Sequence, residues 1–255
     1  MPRADPMAAR PGVPPRGRRV AGPPAPESPL KYTTLNLDPD ESHALVLALV
    51  PPGRKVLDIG CATGYLSDAL AARGCRVVGV EIDPRAAAVA RQRGLDVRVG
   101  PLAQVMNRSE QGTFDCLVFA DVLEHVVDPR TFLQGALRFL RPHGVVVVSV
   151  PNVAHWSVRL ALCRGQFDYT PTGLLDETHL RFFTADSLER LLAGCGLTVV
   201  ERRYSVGSGT YWRTSRWIWW QRQKLLRRVV PRWPGLFAFQ FVWKAARSSV
   251  PDGAR

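Results

Sequence analysis

Short apolar runs alternate with segments of helical period through the middle of the chain, and this alternation restricts the fold more than any other feature. Between the strand-like runs lie helix-like segments such as "YLSDALAARG", "PRAAAVARQRG" and "PRTFLQGALRFL". Strands that are apolar on both faces and separated by helices are typical of a parallel sheet covered by helices. We therefore predict a doubly wound α/β domain that binds its ligand at the carboxyl ends of the strands. The strand-like runs are "KVLDIG" and residues 76–81, 96–99, 116–120 and 145–150.

Later segments complete the pattern. "PLAQVMNRSEQGTF" is short and polar, so we expect little more than a helical turn between the third and fourth strands. Thr184 is a candidate N-cap for a helix in "ADSLERLLAGCG". "LTVVERRY" and "LFAFQFVWKA" read as a sixth and a seventh strand.

The formal charge of +12 is divided unevenly along the chain. Residues 201–255 contain twelve Arg and Lys against two acids, and residues 1–31 contain six against two. Residues 32–200 contain sixteen against eighteen, so any attraction to a polyanion or a membrane belongs to the ends. Residues 1–30 are rich in Pro, Arg, Ala and Gly, which predicts a disordered basic tail.

A basic stretch that carries three tryptophans, "RWIWWQRQKLLRRVV", occupies residues 216–230. If the last two strands are assigned correctly, it lies in an insertion between them, over residues 205–235. Cations with interleaved tryptophans suit an anionic membrane surface. A lid or dimer contact and a nucleic-acid contact remain open alternatives, and the oligomeric state is unknown.

No apolar run approaches the roughly 20 residues that a membrane-spanning helix requires. The N-terminus also lacks the apolar core of a signal peptide, so we expect a cytoplasmic protein, with peripheral membrane contact open. The five cysteines lie far apart, without a Cys-x-x-Cys pair or a histidine at metal-ligand spacing. We therefore expect no metal site and no disulfide framework.

The first strand runs into the loop "GCATGYL", whose glycines permit a close approach of backbone to a ligand. A dinucleotide fingerprint requires glycine at positions 60, 62 and 65, where this chain has Gly60, Ala62 and Tyr65. Asp58 would repel a pyrophosphate but would attract an ammonium group. Glu81, at the end of the second strand, is placed to accept ribose hydroxyls. An adenosine with a cationic amino-acid tail suits both acids.

At this point the sequence resembles the class I S-adenosylmethionine-dependent methyltransferases. "VLDIGCATG", "VVGVEIDP", "FDCLVFADVLEHVVDP" and "LRPHGVVVVSVPN" resemble four motifs of that family, in the same order. The resemblance covers residues 35–246. It implies a Rossmann-like sheet of seven strands with the last antiparallel, a domain over residues 31–246, and S-adenosylmethionine as cofactor; residues 247–255 would form a C-terminal tail. Ala62 replaces a glycine that is frequent in the family.

The resemblance also implies the cofactor contacts. Asp58 and Gly60 would lie beside the methionine part, Glu81 would hold the ribose, and Ile82 would pack on the adenine. The family often has an acid after the third strand, where this chain reads "VGPLAQ", so we expect apolar and backbone contacts to cover the adenine there. Cys61 is expected to be a small packing residue rather than a nucleophile. The predicted contacts are Asp58, Gly60, Cys61, Gly64, Glu81, Ile82, Pro101, Leu102, Ala120 and Asp121.

Two histidines are candidate catalytic residues on the acceptor side. His125 follows the fourth strand in "DVLEHV", and His179 lies in "LLDETHLRFFT". Methyl transfer to a hydroxyl can require a base, which either histidine could supply. His125 could instead order its loop, and His179 could pair with Asp176 or Glu177.

The long segment that carries His179, residues 152–183, would overhang the carboxyl edge of the sheet, and we call it the lid. Trp156, Phe167 and Tyr169 are candidates to roof the acceptor pocket, or they are core residues. Arg181 could bind an acidic acceptor or pair with a neighbouring acid.

The leading hypothesis is therefore methyl transfer to a small molecule, with a hydroxyl oxygen favoured and a sugar, lipid-linked or quinone-like acceptor possible. The missing glycines argue against a nicotinamide-dependent oxidoreductase. A noncatalytic protein that keeps the fold and the cofactor is a second alternative. Methylation of RNA is disfavoured, because "ADVL" stands where enzymes that methylate amino groups of nucleic acids carry an "NPPY"-like tetrad.

Overall fold

The computed structural model describes residue 30, residues 33–207 and residues 225–248. The predicted N-terminal tail and most of the predicted C-terminal tail therefore lie outside the described residues. Within those ranges the chain forms one mixed sheet of seven strands. They are β1 (Lys55–Ile59), β2 (Arg76–Glu81), β3 (Asp96–Val99), β4 (Phe114–Ala120), β5 (Leu140–Pro151), β6 (Leu197–Ser205) and β7 (Gln240–Arg247).

The sheet has the order β3-β2-β1-β4-β5-β7-β6. The strands β1 to β5 are parallel, and β7 runs antiparallel to both β5 and β6. From β1 the chain continues first to one side of the sheet and later, through β4, to the other. The carboxyl ends of β1 and β4 are therefore the switch point at which such sheets bind ligands. The predicted doubly wound α/β fold with an antiparallel last strand is confirmed.

Helices cover both faces of the sheet. Cluster contacts place α1, α2 and α3 on one face, and α4, α5 and α7 on the other. Asp83 and Asp128 each precede a proline and accept backbone N–H groups at a helix start, which fixes where α3 and α5 begin. The helices are α1 (Ser42–Leu49), α2 (Tyr65–Ala71), α3 (Pro84–Gln92), α4 (Leu102–Val105), α5 (Pro129–Ala136), α6 (Trp156–Cys163) and α7 (Ala185–Ala193).

Two local predictions are confirmed. Between β3 and β4 the chain forms only the single turn α4 and a 3₁₀ turn, Arg108–Glu110. Thr184 caps α7, and its hydroxyl accepts the N–H of Ser187. No helix of the described residues is long and apolar enough to cross a bilayer.

The connection between β6 and β7 corrects part of the strand prediction. We predicted that the seventh strand includes "LFAF", whereas Pro234–Phe237 is a helical turn and β7 begins at Gln240. Proline at the first position of that turn explains the change, because its fixed φ suits a helix start. Residues 208–224, which include the tryptophans of the basic stretch, lie outside the described residues.

The described end of the basic stretch packs against the domain. Val230 is buried, and the Arg227 Nε donates to Asp40 Oδ2 at 2.7 Å. Leu225, at the start of the described part, is exposed.

Candidate active site

The loop between β1 and α2 forms the first wall of the site. Gly60 and Gly64 have φ angles of 74° and 79°, and Ala62 has 48°. A residue with a side chain is disfavoured in this left-handed region by roughly 1–2 kcal/mol. The Ala62 N–H donates to Glu81 Oε2 at 2.8 Å, so a carboxylate from the next strand holds the strained residue.

Glu81 braces this wall with both oxygens. Its Oε1 accepts the N–H groups of Ile82 and Asp83 at 2.7 and 2.8 Å, in addition to the Ala62 bond on Oε2. A carboxylate offers about four acceptor positions, so capacity remains for a hydroxyl. The sequence predicted a ribose contact for Glu81 but did not reveal its role as a brace of the loop.

Asp58 provides a buried negative site at the end of β1. It is 1% exposed, and Ser67 Oγ donates to its Oδ2 at 2.6 Å. Burial raises the pKa of Asp58 to about 6, the charge of Glu81 raises it as well, and the Ser67 hydrogen bond opposes both. A cationic group beside Asp58 would therefore find a carboxylate that is poorly compensated by its surroundings.

The apolar residues of this wall divide into buried and exposed ones. Ile82 is 70% exposed and Pro101 is exposed, so both offer apolar surface to a ring. Cys61 packs against Gly79, where a Cβ atom would meet its Sγ at 2.6 Å. Leu102 lies in the core, which differs from the expectation that its side chain covers the adenine. Burial also raises the pKa of the Cys61 thiol, as suits a packing residue.

These residues fit S-adenosylmethionine by their chemistry. The donor set combines the buried carboxylate of Asp58 for an ammonium group, the carboxylate of Glu81 for hydroxyls, and the exposed Ile82 for a ring. Gly60 lies against the side chain of Val122, which a Cβ atom would meet at 2.7 Å. The loops after β1 and β4 are thus in direct contact at the switch point.

Asp121 joins three strands at the carboxyl edge. Its φ of 53° is left-handed, and its N–H points to Ser149, at 3.2 Å from the backbone oxygen and 3.1 Å from Oγ. Its Oδ1 accepts from Ser149 Oγ at 3.0 Å and from Gln240 Nε2 at 2.9 Å. Sequence reasoning found Asp121 but missed Ser149 and Gln240, which come from β5 and β7. Strained backbone at such a position often accompanies a functional site.

The structure brings the two predicted catalytic histidines together. The ring centroids of His125 and His179 are 4.9 Å apart, although 53 residues separate them in the sequence. Glu124 lies beside them in the 3₁₀ turn Leu123–His125, with 1% of its surface exposed. Burial raises the pKa of Glu124 well above its usual range, and the charge of Asp121 adds to this. Glu124 was not among the predicted site residues; its place beside His125 in "DVLEHV", after the fourth strand, was the signal in the sequence.

Hydrogen bonds hold the lid on this turn. The N–H groups of Leu180 and Arg181 donate to the Glu124 backbone oxygen at 2.8 and 2.9 Å. His179 is buried, which lowers its pKa, and His125 lowers it further. The imidazole of His179 is therefore neutral at physiological pH. The Thr178 hydroxyl donates to Asp176 Oδ1 at 2.6 Å.

Aromatic side chains of the lid lie next to His179. The rings of Phe167 and Tyr169 are 5.6 Å apart, and Phe182 is 5.9 Å from Phe167 and 6.3 Å from His179. Phe167 and Tyr169 are partly exposed, so they are not core residues. Trp156 lies apart from this group, with its ring 5.6 Å from that of His155.

Arg181 is fixed by the backbone. Its Nε donates to the Val127 oxygen at 2.9 Å. It also lines an open cavity of about 490 Å³ whose walls include Phe183 and Leu191. The structure thus places Arg181 at the rim of the lid.

Comparison with known proteins adds to this geometry. Residues 36–202 match the family model described as "Methyltransferase domain". A ubiquinone biosynthesis O-methyltransferase from Cereibacter sphaeroides is 30% identical over 192 residues, which cover 73% of this chain and 77% of that protein.

Solved structures share the fold at lower identity. A methyltransferase from Thermotoga maritima, described as a possible histamine N-methyltransferase, has a TM-score of 0.57 at 17% identity and covers 81% of this chain and 90% of that one. Magnesium protoporphyrin IX methyltransferase from Synechocystis, with bound S-adenosylhomocysteine, has a TM-score of 0.54 at 20% identity. The match covers 80% of this chain and 81% of that one.

Proposed function

The chain belongs to the class I S-adenosylmethionine-dependent methyltransferases, and from this premise we propose that it methylates a hydroxyl oxygen of a small, quinone-like phenol. The observation that supports the proposal is the group of Glu124, His125 and His179, which lies beside the aromatic rings of the lid. The name of the Cereibacter relative supports an oxygen acceptor of this kind.

The residues of the first wall would hold the cofactor. Asp58 would face its ammonium group, Glu81 its ribose hydroxyls, and Ile82 and Pro101 its adenine. When bound, S-adenosylmethionine supplies a methyl group on a positively charged sulfur. Because such a methyl group needs little activation, the main task of the protein is to position the acceptor oxygen in line with it.

The polar cluster of the lid would receive the acceptor hydroxyl. Its proton would leave toward His125 and His179, because a neutral imidazole can accept a proton and His179 is kept neutral by burial. Phe167, Tyr169 and Phe182 would cover the face of an aromatic acceptor, since offset or edge contacts between rings are favourable. Arg181 and Trp156 would border the entrance.

The basic stretch 216–230 would bring the protein to anionic membranes, where lipid-linked acceptors occur. This proposal rests on the sequence, since most of that stretch lies outside the described residues.

The test is a comparison of acceptors with the full-length protein. Formation of S-adenosylhomocysteine should be at least about tenfold faster with catechol-type phenols than with sugars of similar size, and NMR of the product should show a methyl group on oxygen. Transfer to nitrogen or carbon would contradict the proposal. A folded protein that does not bind S-adenosylmethionine in calorimetry would contradict the cofactor assignment itself.

A further inference from the structure

The side chains of Glu124, His125 and His179 offer three ligand atoms that all lie within 4.8 Å of one another. We propose that these residues bind a divalent transition-metal ion of the Zn²⁺ type, with a coordination position left open toward the acceptor. From the sequence we expected no metal site, because the cysteines lie far apart and no histidine stands at metal-ligand spacing from them. That expectation did not consider ligands from the β4 turn and the lid.

The first argument is the state of the Glu124 carboxyl group. Glu124 is 1% exposed, and both of its side-chain oxygens lack a hydrogen-bond partner among the residues that the structure describes. Buried polar groups are almost always paired, so two unpartnered oxygens on one carboxyl group require an explanation. A cation between Glu124 and the two histidines would supply the missing partner for these oxygens.

The second argument is the orientation of the histidines. His179 Nδ1 faces the Leu174 oxygen at 3.3 Å, and His125 Nδ1 faces the Thr178 oxygen at 3.1 Å. A carbonyl oxygen can only accept, so each Nδ1 carries the hydrogen and each Nε2 keeps its lone pair. The Thr178 hydroxyl is also 3.3 Å from His125 Nδ1, but its own hydrogen is directed to Asp176 Oδ1 at 2.6 Å.

This arrangement is the one that metal-binding histidines adopt, with the second ring nitrogen donating to a backbone carbonyl. Here it is present on both histidines.

The third argument is that the ligands are held in place without the ion. The Leu180 and Arg181 N–H groups clamp the lid onto the Glu124 backbone oxygen, so His179 stays next to the turn that carries Glu124 and His125. A set of two histidines and one carboxylate with open positions is typical of Zn²⁺ and of non-haem Fe²⁺, and not of Ca²⁺ or Mg²⁺.

The inference rests on the proposed function only for the role of the open position. A hydroxyl bound to such a cation would release its proton to water more readily, so with the ion bound the two histidines would act as ligands and not as the base. The binding of the ion itself does not depend on which molecule is methylated.

The experiment uses the full-length protein, freed of metal by a chelator and then titrated with Zn²⁺ alone and with Co²⁺ alone. We expect one ion per chain by elemental analysis and visible Co²⁺ absorption bands of a four- or five-coordinate site. All five cysteines are free thiols, so a near-ultraviolet thiolate band would instead place the metal on cysteine and overturn the proposal.

Variants locate the site. Glu124→Gln and His179→Gln should weaken Co²⁺ binding by about 100-fold or more. Loss of a residue that only hydrogen-bonds to a metal ligand would weaken binding by about 10- to 100-fold. His125→Gln, at a half-exposed position, provides a further readout if either buried variant fails to fold. His143→Gln removes an exposed histidine elsewhere on β5 and should leave binding unchanged. Equal binding by all four variants would overturn the proposal.

Methyl transfer is measured separately, with and without the ion. Metal binding without transfer to any phenol would support the metal site and refute the proposed function. Transfer at full rate by a protein that binds no metal would support the function and overturn the metal site.

Discussion

The loop wall formed by Gly60–Gly64 and Glu81 and the cluster of Glu124, His125 and His179 lie at the same edge of the sheet, but they differ in how their polar groups are satisfied. In the wall, Glu81 accepts three backbone N–H groups of the chain itself. In the cluster, both side-chain oxygens of Glu124 lack a hydrogen-bond partner within the described part of the chain. The wall is therefore held by the chain itself and keeps only part of its acceptor capacity for a ligand, whereas the Glu124 carboxyl group leaves all of its capacity for a group that enters from outside.

The substitution Glu81→Gln should have the largest effect of all on the stability of the loop wall and on its affinity for the cofactor. The amide keeps the shape but loses the charge and turns an NH₂ group toward backbone donors. Hydrogen bonds to a charged group contribute about 1.5–3 kcal/mol each, so we expect the free energy of unfolding to fall by about 3 kcal/mol. The affinity for S-adenosylmethionine should fall by about 100-fold.

Urea unfolding and calorimetry measure these two effects of Glu81→Gln. The matched control is Glu189→Gln, which removes an exposed carboxylate paired with Arg202 and should change stability by less than about 1 kcal/mol. If both variants had equal stability, Glu81 would not brace the loop.

Asp58 gives the wall a pH dependence. An unfolded aspartate ionises near pH 4, whereas Asp58 in the cofactor-free fold keeps its proton until about pH 6. Between these values the folded state binds more protons. The stabilising contribution of Asp58 is therefore present at pH 4 and is lost as the pH rises through 6, by about 3 kcal/mol in total.

Comparison with Asp58→Asn isolates this contribution. The difference in unfolding free energy between the wild type and the variant should decrease from pH 4.5 to 7 and then stay constant. Saturating S-adenosylmethionine should move this change to lower pH, because its ammonium group favours the carboxylate. A difference that does not vary with pH would contradict the buried state of Asp58.

On the acceptor side, Tyr169→Leu should affect only the binding of the acceptor. Tyr169 is 56% exposed, so its loss should alter stability by less than about 0.5 kcal/mol. Loss of one ring contact of about 0.5–1.5 kcal/mol should raise the KM for a phenolic acceptor by about two- to tenfold. The affinity for S-adenosylmethionine should remain within about twofold.

Steady-state kinetics with a phenol provide the measurement for Tyr169→Leu. Trp233→Leu serves as the control, because Trp233 is an equally exposed aromatic residue that follows β6 and lies outside the lid. An equal rise in KM for both variants would show that the aromatic residues of the lid have no special role in binding the acceptor.

The same contrast explains what the sequence could predict. Asp58, Gly60 and Glu81 lie within one β-α-β unit, so their spacing was sufficient to place them at one edge. Ser149 and Gln240 reach Asp121 from distant strands, and Glu124 meets His179 only because the lid folds back. Such contacts depend on tertiary pairing, which no local pattern encodes.

Side-chain direction was only partly predictable from the sequence. Cys61 packs in the interior as expected, but Leu102, in the other predicted cofactor loop, also turns its side chain into the core. The helical turn Pro234–Phe237 replaced part of a predicted strand, since short apolar runs do not distinguish the two.

The smallest expected effect concerns the backbone of the wall. Ala62 has a φ of 48°, where glycine has no steric penalty, so Ala62→Gly should remove about 1 kcal/mol of strain. The greater freedom of glycine in the unfolded chain offsets about half of that gain. We therefore expect a net stabilisation of about 0.5 kcal/mol.

The same substitution at the exposed Ala88, inside α3, should destabilise the protein by about 1 kcal/mol, because glycine is a poor helix former. Urea unfolding of both variants should thus give changes of opposite sign. Destabilisation of both would mean that Glu81 holds Ala62 in a conformation that carries no strain.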